Sequence, residues 1–262
     1  MNQSVTTSFK QAFESALPLT SSPLVQCITN EITVESMANA LLYIDAKPVM
    51  ADAVQEFPEF FAQNNALLLN LGHISPEREK SLLAAGSFAA ETHTPTVVDL
   101  VGVSATQLRY ELGHQLLANH PNVVKGNISE MRRFSGLKST GRGVDGSQLD
   151  QSPAAFSELA EALKQLTRRF PATTFLATGQ TDLVVSAHGQ WRLENGVLQL
   201  DRFTGTGDIV GALIAALLGV GLTNDAAENT GGLASFRERT LDQLSLLATH
   251  QDWIQKVKGQ AL

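Results

Sequence analysis

A chain of 262 residues, 43% apolar and 17% charged, has the composition of a folded protein and not of a disordered one. At about 150 residues per domain its length suits one large domain or two small ones. Nineteen basic against 26 acidic residues leave a net charge of -7, which repels phosphate backbones and argues against sequence-independent binding of nucleic acid. The single cysteine, Cys27, excludes an intrachain disulfide framework and a cysteine-rich zinc site, and it fits a reducing cytoplasm.

The stretch Met1–Ser8 lacks the basic head and apolar core of a secretory signal. In chain order, apolar runs of strand length fall at Leu24–Ile28, Ala66–Leu71, Thr96–Val101, Asn122–Lys125 and Thr173–Thr178. Helical patterns lie around them at Val34–Ile44, Pro76–Thr92, Ala105–Asn119, Pro153–Phe170 and Gly207–Val220. Several strand runs are apolar on both faces, as central parallel strands covered by helices on each side require. The short runs Leu183–Val185, Trp191–Leu193 and Val197–Leu200, broken at His188-Gly189-Gln190 and Asn195-Gly196, predict an antiparallel meander at one sheet edge. Gly136–Ser152, rich in Gly, Ser and Asp, is expected to be the least ordered internal stretch. No Pro-, Gly- or Ser-rich linker divides the chain, so residues 1–262 are read as a single α/β domain. Ile209–Leu222, the longest uncharged apolar stretch, is too short to span a bilayer and reads as a core helix, so no membrane contact is expected.

Thr204-Gly205-Thr206-Gly207-Asp208 opens directly into that apolar helix. Glycines permit close backbone approach, and the free N–H groups of a first helical turn can hold an anion such as a phosphoryl group in transfer. No Lys-Ser or Lys-Thr follows the glycines, so this is not a P-loop, and a phosphate bound here would sit in a lysine-free anion hole. Asp208 reads either as an ordinary helix N-cap or as a proton acceptor beside that hole. The second reading points to a small-molecule alcohol kinase.

Lys125-Gly126-Asn127-Ile128-Ser129-Glu130 follows a strand run. Asn127 and Glu130, three apart on a forming helical turn, read as a capping box or as a holder of hydrated magnesium. Asp99 and Thr178-Gly179 mark two further strand ends, where a turn residue or a ligand contact can stand. The six histidines are scattered and form no zinc motif, and Cys27 reads as a small buried residue.

Taken in order, Cys27-Ile28-Thr29-Asn30, Ala46-Lys47-Pro48-Val49-Met50, Val98-Asp99, Lys125 to Glu130, Thr178-Gly179, Thr204 to Asp208, Ser235-Phe236 and Leu241 to Leu244 resemble the hydroxyethylthiazole kinase family of thiamine salvage. The resemblance implies a ribokinase-like three-layer sandwich, a mainly parallel sheet with an antiparallel edge. It implies transfer of the γ-phosphoryl group of ATP, with Mg2+, to the hydroxyl of 4-methyl-5-(2-hydroxyethyl)thiazole, by a cytoplasmic homotrimer whose sites lie between subunits. Met50, Gly205 and Asn30 would meet the thiazole, and Lys125 and Thr178 the nucleotide. Asp99 and Glu130 would serve magnesium and its waters, with Asn127 orienting them. Gly205, Thr206 and Gly207 would form the anion hole and Asp208 would be the base. Asp208 stands where many thiazole kinases have Cys, though the broader ribokinase-like group usually has Asp. Asp99-Leu100 replaces Asp-Pro, Asp45 to Met50 replaces Gly-Ala-x-Pro-x-Met, and Gly232 to Phe236 replaces Gly-Pro-Gly-Ser-Phe. On the same fold the alternatives are a hydroxymethylpyrimidine or pyridoxal kinase, an ADP- or ATP-dependent NAD(P)H-hydrate dehydratase, and a degenerate thiazole- or nucleotide-binding sensor.

Overall fold

The computed structural model describes residues 18–139, 152–193 and 204–221. Along them run β1 (Leu24–Ile28), α1 (Val34–Tyr43), β2 (Lys47–Val49), a 3-10 turn (Val54–Glu56) into α2 (Phe57–Phe61), β3 (Ala66–Asn70), α3 (Pro76–Thr92) and β4 (Thr96–Asp99). There follow α4 (Gln107–Leu117), β5 (Val123–Asn127), α5 (Ile128–Phe134), α6 (Pro153–Arg169), β6 (Thr174–Thr178), β7 (Asp182–Ser186), β8 (Gly189–Leu193) and α7 (Thr206–Gly219). The strands form one sheet in the order β2-β1-β3-β4-β5-β6-β7-β8. It is parallel from β2 to β6 and antiparallel where β7 and β8 close the edge.

Alternation along the strands sorts the core into two apolar layers. Leu67 and Leu69 of β3 join residues of α2, α3, α4, α5 and α6, whereas Leu68 joins α1 and α7 on the opposite face. This is the expected three-layer sandwich. In α6, Leu159, Leu163 and Leu166 recur at helical spacing on the buried face, and Ser152 caps the first turn by accepting the Ala155 N–H. From Asp208 to Leu218 every residue of α7 is buried, as an apolar helix laid across a sheet must be. No helix among the described residues is long and apolar enough to cross a membrane.

Several boundaries depart from the sequence reading. β4 stops at Asp99: the Leu100 N–H makes the last ladder bond, to the Lys125 carbonyl, and the chain then turns through Gly102, at φ 74°. Thr106 caps α4 by accepting the Arg109 N–H, so the helix begins at Gln107 and not at Ala105. Three elements were not expected as such. β2 contains Pro48, which is tolerated at the sheet edge. α2 is held by Phe57 and Phe61 against Phe88. The turn read at Asn127 to Glu130 extends into α5. Asn195-Gly196, Val197–Leu200, residues 140–151 of the Gly136–Ser152 stretch, and the C-terminal motifs Ser235-Phe236 and Leu241 to Leu244 lie outside the described residues.

Candidate active site

The register of the parallel strands builds one wall of the site. Asn70 is the Cα partner of Asp99, and Asp99 of Lys125, so the three lie in a row across the last residues of β3 and β4 and the middle of β5. They share the side-chain parity of Leu68, Val97 and Val123, whose face is covered by α7. All three are buried, beneath the glycine-rich start of that helix.

Gly205, at φ 92°, is the N-cap of α7 and supplies no side-chain bond to its own helix. A side chain there would meet the left-handed penalty and, in addition, the Thr33 methyl group. The first helical bond runs from the Ile209 N–H to the Gly205 carbonyl. The N–H groups of Thr206, Gly207 and Asp208 therefore stand outside the helical ladder at its positive end. Gly211, one turn on, lets α7 lie directly on the sheet, since a Cβ there would come within 3.1 Å of Leu68 Cδ1 and 3.6 Å of Asp99 Oδ2.

Asp208 sits at the third helical position and is not the N-cap. Its carboxylate is caged by other elements: Thr33 Oγ1 donates to Oδ2 at 2.5 Å, Asn30 Nδ2 to Oδ2 at 3.0 Å, and Asn70 Nδ2 to Oδ1 at 3.0 Å. Asn70 Nδ2 also donates to Asp99 Oδ2 at 3.1 Å, and Lys125 Nζ pairs with that same oxygen at 2.8 Å. The ammonium lies 3.7 Å from where a Cβ on Gly207 would be. A lysine from β5 thus stands beside the glycine-rich turn, although none follows the glycines in the sequence.

Asn127 and Glu130 form the capping box. Asn127 Oδ1 accepts the Glu130 N–H at 2.8 Å, and Glu130 Oε2 accepts the Asn127 N–H at 2.7 Å. Glu130 Oε1 also accepts the Gly102 N–H at 2.6 Å, tying the β4–α4 loop to the site. Burial pushes the Asp99 carboxyl up to about 6 against the pull of Lys125. It pushes Glu130 up to about 7, against its two N–H donors.

The structure thus brings Asn30, Asp99, Lys125, Gly205, Thr206, Gly207 and Asp208 together, with Asn127 and Glu130 alongside on the next turn. Thr178 Oγ1 donates to the Gly126 carbonyl at 3.3 Å, and the Gly179 N–H to Asp182 Oδ1 at 2.8 Å, which fixes the turn after β6 beside β5. Met50 stands apart from this hydrogen-bonded cluster, half-buried on the apolar face of α1 and α7. Thr33 and Asn70 were missed in the sequence. Their signals were a hydroxyl three residues after Asn30 and an amide ending a run of leucines. His73, His93 and His120 occupy left-handed turn positions, as scattered turn residues do. Cys27 is buried in the core, where its thiol is pushed up to about 12.

This sheet order, covered by helices on both faces, defines a protein of the ribokinase-like fold. An ADP complex of Bacillus subtilis pyridoxal kinase shares that fold, with a TM-score of 0.58 at 11% identity over 81% of this chain and 89% of that one. The chain belongs to the hydroxyethylthiazole kinase family, whose model matches residues 19–240. It is 72% identical to a hydroxyethylthiazole kinase of Lacticaseibacillus casei (strain BL23), the match covering 100% of both chains. The structure of a hydroxyethylthiazole kinase from Pyrococcus horikoshii OT3 is similar at a TM-score of 0.70 and 29% identity, covering 90% of this chain and 84% of that one.

Proposed function

We propose that this chain transfers the γ-phosphoryl group of ATP to the side-chain hydroxyl of 4-methyl-5-(2-hydroxyethyl)thiazole, with Asp208 accepting the hydroxyl proton. The alcohol oxygen bonds to the γ-phosphorus as the bond to the β,γ-bridging oxygen breaks, ADP leaves, and the proton passes to the Asp208 carboxylate. The observation that carries the reading is the caged Asp208 carboxylate beside the open N–H groups of Thr206 and Gly207 and the Lys125 ammonium. Such a transfer has a loose transition state, so the acceptor needs orientation and late proton removal more than a strong base. Donors fixed in advance around the phosphoryl oxygens supply the electrostatic part.

Lys125 and Thr178 are assigned to the nucleotide, and Met50, Gly205 and Asn30 to the thiazole. The donor set also fits magnesium. Asp99, Glu130 and Asp208 put three buried carboxylates against one buried ammonium, Lys125, an imbalance that a divalent cation offsets. Among the described residues no group of three or more metal-ligating side chains forms a closed cage. An ion that keeps several waters and takes one or two carboxylates plus phosphate oxygens needs none. Asp99 and Glu130 would hold it or its waters, with Asn127 orienting Glu130. The ion would neutralise charge developing on the phosphates.

The proposal extends to one catalytic domain over residues 1–262, acting in the cytoplasm as a homotrimer with sites completed by a neighbouring subunit. Exposed Ile32, Leu42 and Tyr43, beside the Asn30–Thr33 turn and on α1, support a second copy at that edge.

The test is ATP consumption together with product mass for purified protein, Mg2+ and hydroxyethylthiazole, with hydroxymethylpyrimidine and pyridoxal in parallel. A thiazole monophosphate formed in step with ADP is the expected result. Phosphorylation of another alcohol in preference, release of inorganic phosphate alone, or binding without turnover would overturn it.

A further inference from the structure

Asn70 ends β3 with its side chain fully buried, and all four hydrogen-bonding positions of its amide are occupied. The two Nδ2 hydrogens go to two different carboxylates, Asp99 Oδ2 at 3.1 Å and Asp208 Oδ1 at 3.0 Å. Oδ1 accepts the Gly72 N–H at 2.9 Å and Asn30 Nδ2 at 3.4 Å. These partners fix the amide's orientation, since the flipped rotamer would set an oxygen against two carboxylates and an NH2 against two donors. Asn70 is the one side chain in the described network that bonds both acids.

The cage around Asp208 is unequal. Oδ2 takes both Thr33 and Asn30, whereas Oδ1 takes only Asn70. An ionised carboxylate oxygen accepts about two hydrogen bonds. Among the described residues, Oδ1 therefore keeps the acceptor position that the Asp208 cage leaves open.

We propose that Asn70 is a positioning residue for phosphoryl transfer: its bridging amide aims Asp208 Oδ1 at the acceptor hydroxyl and holds that oxygen at a set separation from Asp99. The inference rests on Asp208 being the proton acceptor, as proposed above. The attacking hydroxyl then meets Oδ1 and not Oδ2. Without the amide, Oδ1 has no protein donor, the two carboxylates face each other unbridged, and Asp208 can turn about its side-chain torsions while Thr33 and Asn30 retain Oδ2. Asn70 is assigned to neither substrate, and Asn30, which is, loses only its 3.4 Å bond to Asn70 and stays held by Asp208 Oδ2 and the Ile32 and Thr33 N–H groups, so the loss falls chiefly on turnover.

The test is steady-state kinetics of full-length Asn70→Ala with Mg2+, ATP and hydroxyethylthiazole, alone and combined with Asp208→Asn. Losing one hydrogen bond to a charged group predicts a fall in kcat of about ten- to a hundredfold, with both KM values within about threefold. In the Asp208→Asn background the same change should cost less than about twofold, because Asn70 acts through the carboxylate already removed. A merely structural amide would lower the melting temperature and cost the same factor in both backgrounds. Where Asn70→Ala gives no cooperative melt, Asn70→Leu, of nearly the same shape but with neither donor nor charge, takes its place. An unchanged kcat, a loss confined to KM, or equal losses in the two backgrounds overturns the inference while leaving the kinase reading standing. Wild-type protein that forms no thiazole phosphate overturns both.

Discussion

Replacing Glu130 with Gln should make the protein gain stability relative to wild type as pH rises. Glutamine preserves the shape of the capping box and resembles the protonated acid, but it has no proton to lose. In the folded wild type, burial holds Glu130 up at about 7, against 4.5 as the ordinary value. The folded state therefore binds more protons than the unfolded state across that window, so wild-type stability falls as pH rises through it. At ~1.4 kcal/mol per pH unit, the difference is worth ~3 kcal/mol between pH 4.5 and pH 7.5. For a chain of this size that corresponds to roughly 6–12 °C in melting temperature. Urea and thermal melts of both proteins in EDTA, at one protein concentration, measure it at pH 4.5, 6 and 7.5. At pH 4.5 the variant should be equal to wild type or less stable, since one of the Gly102 and Asn127 N–H groups then faces an amide nitrogen. The gap should then move toward the variant with each step. A gap that stays flat, or moves toward wild type, would refute the burial argument.

Asp208→Asn should lower kcat by about a hundred- to ten-thousandfold with little change in the KM for ATP, because it removes the proton acceptor and leaves the N–H groups of α7 in place. Turnover near the wild-type rate would remove Asp208 from that role. Gly205→Ala should cost at least ~1 kcal/mol for the left-handed backbone alone. It should also depress activity, because the new methyl group displaces Thr33 from Asp208; a thermal melt with a parallel turnover assay reads both effects. Cys27, its thiol pushed up to about 12 by burial, should resist iodoacetamide at pH 8 until urea unfolds the chain. Mass spectrometry showing rapid native labelling would contradict its burial.

Asp99 and Lys125 were legible because each breaks an apolar pattern toward the end of a parallel strand, where α/β sheets place their ligands, and Asp208 because it opens an apolar helix after two glycines. Asp99, Lys125 and Asp208 needed no pairing information to be noticed. Asn70 did. A neutral amide after four buried residues reads as the end of a run, and it acquires meaning only when register sets it beside Asp99 and parity points it under α7. Thr33 is similar, since a hydroxyl before a helix reads as a cap, yet here it makes no cap bond and reaches Asp208, 175 residues away. The strand order explains both. β1 lies between β2 and β3, so the turn after β1 emerges next to the end of β3 and brings Asn30 and Thr33 to the helix that starts at Gly205. That order is set by which apolar faces pack, and no single motif encodes it. The charged groups that carry the chemistry can thus be found one strand at a time, whereas the neutral groups that aim them become visible only when the sheet is assembled.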